Sequence, residues 1–210
     1  MESLHSFLTV LITLLIIMDP MGNLPFFILF TRQHTRIERN RMALTASAAA
    51  CAILVFFGLT GDYLLRMFSI TLPAFQLAGG AIFLIYALQM LALIPIGIKT
   101  SEEEEQESIS KDNAALVPLA IPFMAGPGAI TAVLVWRQGE IQIGFLLLAV
   151  ITACLATYTV FRFGEWIHKA MGVSGVRVVS RLMGLLLAVI AVQFMVNGLQ
   201  QILAPLPSSP

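Results

Sequence analysis

The sequence predicts an all-α membrane protein of six transmembrane helices, arranged as two inverted three-helix repeats with the first helix of each repeat broken. Three observations predict it. The chain is 58% hydrophobic and only 11% charged, with a mean hydropathy of +0.89, whereas soluble domains run near roughly 25% charged. Six apolar runs, at roughly 4–31, 42–60, 70–94, 115–136, 141–161 and 182–203, have the length of about 20 residues that hydrocarbon demands. The first and fourth runs are each interrupted by proline and glycine, and interruptions at matching places in two halves mark an internal repeat.

The first run holds Asp19, the one charged residue of the chain inside an apolar segment. A carboxylate at membrane depth is costly, by about 2.5–3.5 kcal/mol on insertion scales, and is as a rule functional and inward-facing. Helix breakers follow it at once, in Asp19-Pro20-Met21-Gly22-Asn23-Leu24-Pro25. Proline removes a backbone donor and clashes with the preceding turn, so the helix is expected to open around Gly22. No basic residue precedes this run and no small-x-small pattern follows it, so it is not read as a cleavable signal.

The second run carries Thr45, Ser47 and Cys51, and the third carries Gly79, Gly80 and Gln89. The fourth contains Gly126-Pro127-Gly128 followed by Thr131, a second break whose glycines let a ligand approach the main chain. A half-helix beginning near Gly128 turns its positive end into the cavity, which suits a carboxylate. The fifth run holds Cys154, and both cysteines are read as packing residues for want of ligand spacing. The sixth holds Gly184, Gln193 and Asn197, the last two on one helix face.

An offset of 104 residues pairs Gly22 with Gly126, Phe57 with Phe161, Gly80 with Gly184, Ala87 with Ala191 and Gln89 with Gln193. Residues 1–94 and 115–210 are thus read as two repeats, joined by an acidic cytoplasmic loop at 95–114 with the block Glu102-Glu103-Glu104-Glu105. With three helices in each half, the second half inserts upside down, and sites of such proteins lie near the midplane at the repeat interface. Ten of the twelve basic residues fall in the first, third and fifth loops. The positive-inside rule puts those loops in the cytoplasm and both termini outside.

The candidate site residues are therefore Asp19, Gly22, Asn23, Gly126, Pro127, Gly128, Thr131, Gln89, Gln193 and Asn197. Asp19 has several readings: ligand of a cation, carrier of a coupled proton, partner of a substrate ammonium, or a cap for the broken helix. The amides serve equally as interhelical glue, and the glycines at 79, 80 and 184 are read as packing positions. No metal, haem or nucleotide motif is present, and Asp19 has no second intramembrane carboxylate, so neither an enzyme nor a cofactor is expected. Balanced charge, 12 basic against 12 acidic, points to no nucleic acid.

The stretches Met18-Asp19-Pro20-Met21-Gly22-Asn23-Leu24-Pro25-Phe26, Pro118-Leu119-Ala120-Ile121-Pro122, Ala125-Gly126-Pro127-Gly128-Ala129-Ile130 and Arg181-Leu182-Met183-Gly184-Leu185 resemble the MarC family of multi-pass inner-membrane proteins. The resemblance covers nearly the whole chain. It implies six helices in two inverted halves and, for the SnatA-type members, transport of a small neutral amino acid such as glycine or alanine coupled to a proton or cation. The implied machinery falls on Asp19, Gly22, Asn23, Gly126, Pro127 and Gly128. An exporter of another metabolite or drug, or a membrane scaffold that transports nothing, remain the alternatives.

Overall fold

The computed structural model describes residues 2–31, 34–94, 124–139 and 141–203. Among them every regular element is a helix: α1 (Glu2–Met18), α2 (Pro20–Thr31), α3 (Arg36–Met67), α4 (Leu72–Met90), α5 (Pro127–Gln138), α6 (Ile143–Arg162) and α7 (Gly164–Leu203). Five stretches are long and apolar enough to cross a bilayer: His5–Leu24, Arg36–Met67, Leu72–Met90, Ile143–Arg162 and Ser174–Leu203. The acidic segment at 95–114, and the part of the fourth run that carries Pro118 and Pro122, lie outside the described residues.

Several boundaries differ from the apolar runs, for local reasons. Helix α3 starts ahead of residue 42 because Thr35 and Glu38 form a capping box, in which the Glu38 carboxylate accepts the Thr35 amide at 2.7 Å and the Thr35 hydroxyl accepts the Glu38 amide at 3.4 Å. The segment 162–181, expected as a loop, is largely helical. It belongs to α7, which is two helical segments joined by a kink at Gly172, where φ is 65° and ψ 174°, a backbone region open to glycine. Glu165 in its first turn suits the positive helix end.

The first break is also tighter than the sequence suggests. Pro25 lies inside α2, and the interruption is a single residue, Asp19, with φ of 38°. Its amide closes α1 by donating to the Leu15 carbonyl at 3.0 Å, and its carbonyl opens α2 by accepting from the Asn23 amide at 3.0 Å. Pro20 sits at the first position of α2, where a missing N–H costs nothing.

Two helix pairs form the frame. Along α4 and α7, Gly80 lies against Ala191 and Met195, Gly184 against Ala87 and Met90, and Gly198 against Pro73 and Leu77. As the number rises on one helix it falls on the other, so the pair is antiparallel. Helices α3 and α6 are likewise antiparallel, with Asn40 bonded to Arg162 and Gly58 against Leu147. Small buried residues, Ala43, Ala46 and Ala50 on α3 and Ala149 and Ala153 on α6, let those backbones approach, which is how helices associate where lipid supplies no hydrophobic drive. Ile12, Leu44, Leu59, Ile85, Leu155 and Val189 are exposed, as lipid-facing side chains are in a bilayer span.

The ends of the bundle differ in charge. Arg36, Arg39, Arg162 and Lys169 gather at one end, where Arg39 pairs with Glu165. Arg66 and Arg137 lie at the other, where Asp62 stands 3.7 Å from Arg137 and accepts from Gln138 at 3.2 Å.

A side chain at the α4–α7 crossing has no room, since a Cβ on Gly80 would lie 2.7 Å from the Ala191 carbonyl and one on Gly184 2.9 Å from Met90 Cβ. Gly80→Val and Gly184→Val are each expected to destabilise the fold by about 1–3 kcal/mol. Gly144→Ala, at a position with open space around it, serves as the neutral comparison in thermal unfolding in detergent.

Candidate functional site

The site is assembled on one face of α4. Gly79, Phe83, Tyr86 and Met90 recur at steps of four, three and four residues, which is a single helical stripe. Gly79 faces Thr131, Phe83 covers Gly128, Tyr86 bonds Asn23, and Met90 touches Gly22. The stripe therefore runs from the second break to the first. Phe83 and Tyr86 are about 4.5 Å apart along the axis, so the two breaks come within about one turn of each other. Both lie inside the packed protein, where alone irregular backbone is tolerated at membrane depth.

At the first break the side chains do the work of the lost helix. The Gly22 amide donates to Asp19 Oδ1 at 3.0 Å, which makes Asp19 the N-cap of α2. Asn23 Nδ2 donates to the Met18 carbonyl at 2.9 Å, and its Oδ1 accepts from the Tyr86 hydroxyl at 2.9 Å. Gly22 has to be glycine because Asp19 Oδ2 occupies the place of its Cβ, with Met90 Cε 2.8 Å from the same point. That second oxygen is the notable group. Asp19 is 1% exposed, and Oδ2 is a buried acceptor without a hydrogen-bond partner among the described residues. A buried polar atom left so costs about 1–3 kcal/mol, more when charged.

The second break has the opposite character. Gly126 is the N-cap of α5 in extended backbone (φ −64°, ψ 172°), Pro127 takes the first helical position, and no side chain caps the helix. The amides of Gly128 and Ala129 thus carry the positive end of the helix dipole, with no cap from the Gly126 position. Both residues are buried, and a Cβ on Gly128 would fall into the Phe83 ring. Thr131, one turn further on, is fully buried against Gly79.

The structure thus brings together Asp19, Gly22, Asn23, Gly126, Pro127, Gly128 and Thr131. It does not bring the three glutamine and asparagine candidates to them. Gln193 is exposed and donates to Asn197 Oδ1 at 2.6 Å. The face of α7 turned to α4 is instead Gly184, Leu187, Ala191 and Gly198. Gln89 is half-buried and lies to one side of the α4 stripe. Sequence reasoning missed Phe83, Tyr86 and Met90. Tyr86 is one of three tyrosines in the chain, and its hydroxyl inside an apolar run was the available signal.

Two outcomes follow from this geometry. Asp19→Asn keeps a cap and a residue tolerated at positive φ, whereas Asp19→Ala loses both; unfolding in detergent is expected to cost Asp19→Ala about 1–2 kcal/mol more than Asp19→Asn. Gly128→Ala is expected to lower the yield of folded protein, and Phe83→Ala in the same chain to restore it, as size-exclusion profiles would report.

Comparison with known proteins agrees with a membrane assignment over the full length. A UPF0056 membrane protein of Aquifex aeolicus is 34% identical over 203 residues, covering 94% of each chain. The UPF0056 membrane protein YhcE of Escherichia coli is 32% identical, covering 91% of this chain and 90% of its own. A UPF0056 membrane protein of Methanocaldococcus jannaschii is 36% identical, covering 88% and 91%. No solved structure matches. Residues 4–203 match the MarC family of integral membrane proteins, and the chain belongs to that family.

Proposed function

We propose that the protein is a secondary transporter of small neutral amino acids, glycine or alanine in size, working by alternating access around a midplane site and coupled to a proton or sodium ion. One observation carries the reading. A buried carboxylate oxygen, Asp19 Oδ2, and the positive helix end at Gly128, neither of them partnered by a side chain among the described residues, adjoin the same stripe of α4. That pair is complementary to a zwitterion, with the ammonium or coupling ion at Asp19 and the carboxylate at the α5 amides. Phe83, Met90 and Thr131 crowd the glycine positions at 128, 22 and 79, which favours a small ligand.

Six spans in two inverted repeats underlie this mechanism, and the packing supports them. Gly80 rests on the Ala191 carbonyl while Gly184 rests on that of Ala87, and the 104-residue offset exchanges those two contacts. Helix α2 packs on α7 as α5 packs on α4, which the same operation requires. The charge asymmetry of the two ends favours a cytoplasmic basic end, both termini outside, in the inner membrane.

A scaffold role draws support from the Asp19 Oδ1 cap alone. Uptake of labelled glycine and alanine into proteoliposomes separates the two, with and without an inward proton or sodium gradient. Gradient-driven accumulation is expected for the native chain, and its loss or uncoupling for Asp19→Asn. Absence of uptake of either amino acid by folded, inserted protein would sink the substrate assignment, and absence of any solute flux the transport reading.

A further inference from the structure

The basic end holds a cavity of about 340 Å³ between α2, α3, α6 and α7, which the midplane site does not use. Its inner wall is the pair Phe27 and Phe161, each 3% exposed, with rings stacked at 4.7 Å and 3° between planes. Phe27 is one turn beyond Asn23 on α2, and Asn23, Phe27 and Thr31, at four-residue steps, are all buried. One face of α2 thus leads from the site, past the ring pair, to Thr31, which lines the cavity. Two flat rings offer a polar solute no hydrogen bond, so the stack is a barrier across that line.

The rim of the cavity is tied across the halves of the chain. Arg39 on α3 pairs with Glu165 at the start of α7, and Arg162 Nη1 on α6 donates to Asn40 Oδ1 on α3 at 2.8 Å. Arg39 is itself fixed, because its Nε donates to the Thr31 carbonyl at 2.9 Å and the His34 carbonyl at 3.0 Å. It therefore couples the end of α2, which carries Phe27, to α7. The ring pair has the same parentage, with Phe27 from the first half and Phe161 from the second. A movement of one half against the other would part the rings and the ion pair together.

We infer that this cavity is the inner vestibule of the path to the midplane site, closed from it by the stacked Phe27 and Phe161 rings and latched by the Arg39–Glu165 pair. The inference rests on the transport reading and adds where the path enters and what shuts it.

The test uses the full chain with Cys51→Ala and Cys154→Ala, reconstituted in vesicles, with Asn23→Cys as reporter. A small membrane-impermeant thiol reagent applied from the basic end is expected to label the reporter slowly. Adding Phe161→Ala should raise the rate at least tenfold, and Glu165→Gln, a surface change that spares the packing, should raise it several-fold. Equal rates in all three would overturn the gate. In a second arm, Arg39→Cys with Glu165→Cys, joined by a reducible bifunctional thiol reagent, should abolish uptake until a reductant is added. Unchanged uptake in the joined protein would also overturn it. If labelling responds but no variant moves solute, the transport reading fails and the barrier stands.

Discussion

In a bilayer every backbone amide and carbonyl has to find its partner within the protein, and the interrupted first span depends on how Asp19 meets that demand. A single left-handed residue ends α1 and begins α2, its amide and carbonyl each keeping a helical bond. Asp19 Oδ1 takes up the Gly22 amide, and Asn23 takes up the Met18 carbonyl. Remove that set and α2 loses its starting point. Tyr86 would then lose its partner on Asn23, and Met90 the glycine surface it packs on.

The frame around the break is built from close approaches rather than large apolar contacts. Lipid is as apolar as leucine, so burial alone gives helices little reason to associate. The glycines on α4 and α7 and the alanines on α3 and α6 bring backbones within reach of dispersion forces. Shape, more than hydrophobicity, sets which faces meet. The same narrow spacing puts Phe83 over Gly128 and Thr131 against Gly79, so the packing that holds the bundle also crowds the second break.

This explains what could be read from the sequence. Asp19, Gly22 and Asn23 stood out because charge and breakers are conspicuous against an apolar run, and the paired Pro/Gly breaks did the same. The stripe Gly79, Phe83, Tyr86, Met90 did not. A membrane helix is apolar all round, and no polar face betrays which side turns inward. Gln193 shows the converse: the amide was conspicuous, yet its helix turns it outward, where it bonds the half-buried Asn197. The helical character of 162–181 was hidden likewise, because its charge reads as loop while only Gly172 leaves helical geometry.

The two breaks lie in the first helix of each half but differ in the groups they offer. Under the 104-residue offset Asp19 corresponds to Phe123 and Asn23 to Pro127. The first half thus supplies a carboxylate and an amide where the second supplies backbone alone. The N-terminus of α2 is capped by its own Asp19 side chain, whereas the cap position of α5 is a glycine that has none to offer. Two identical breaks would present a ligand with like ends and repel one pole of a dipolar molecule. On the transport reading, that difference sets a carboxylate at one break and a helix N-terminus at the other, a pair suited to a ligand that carries both charges.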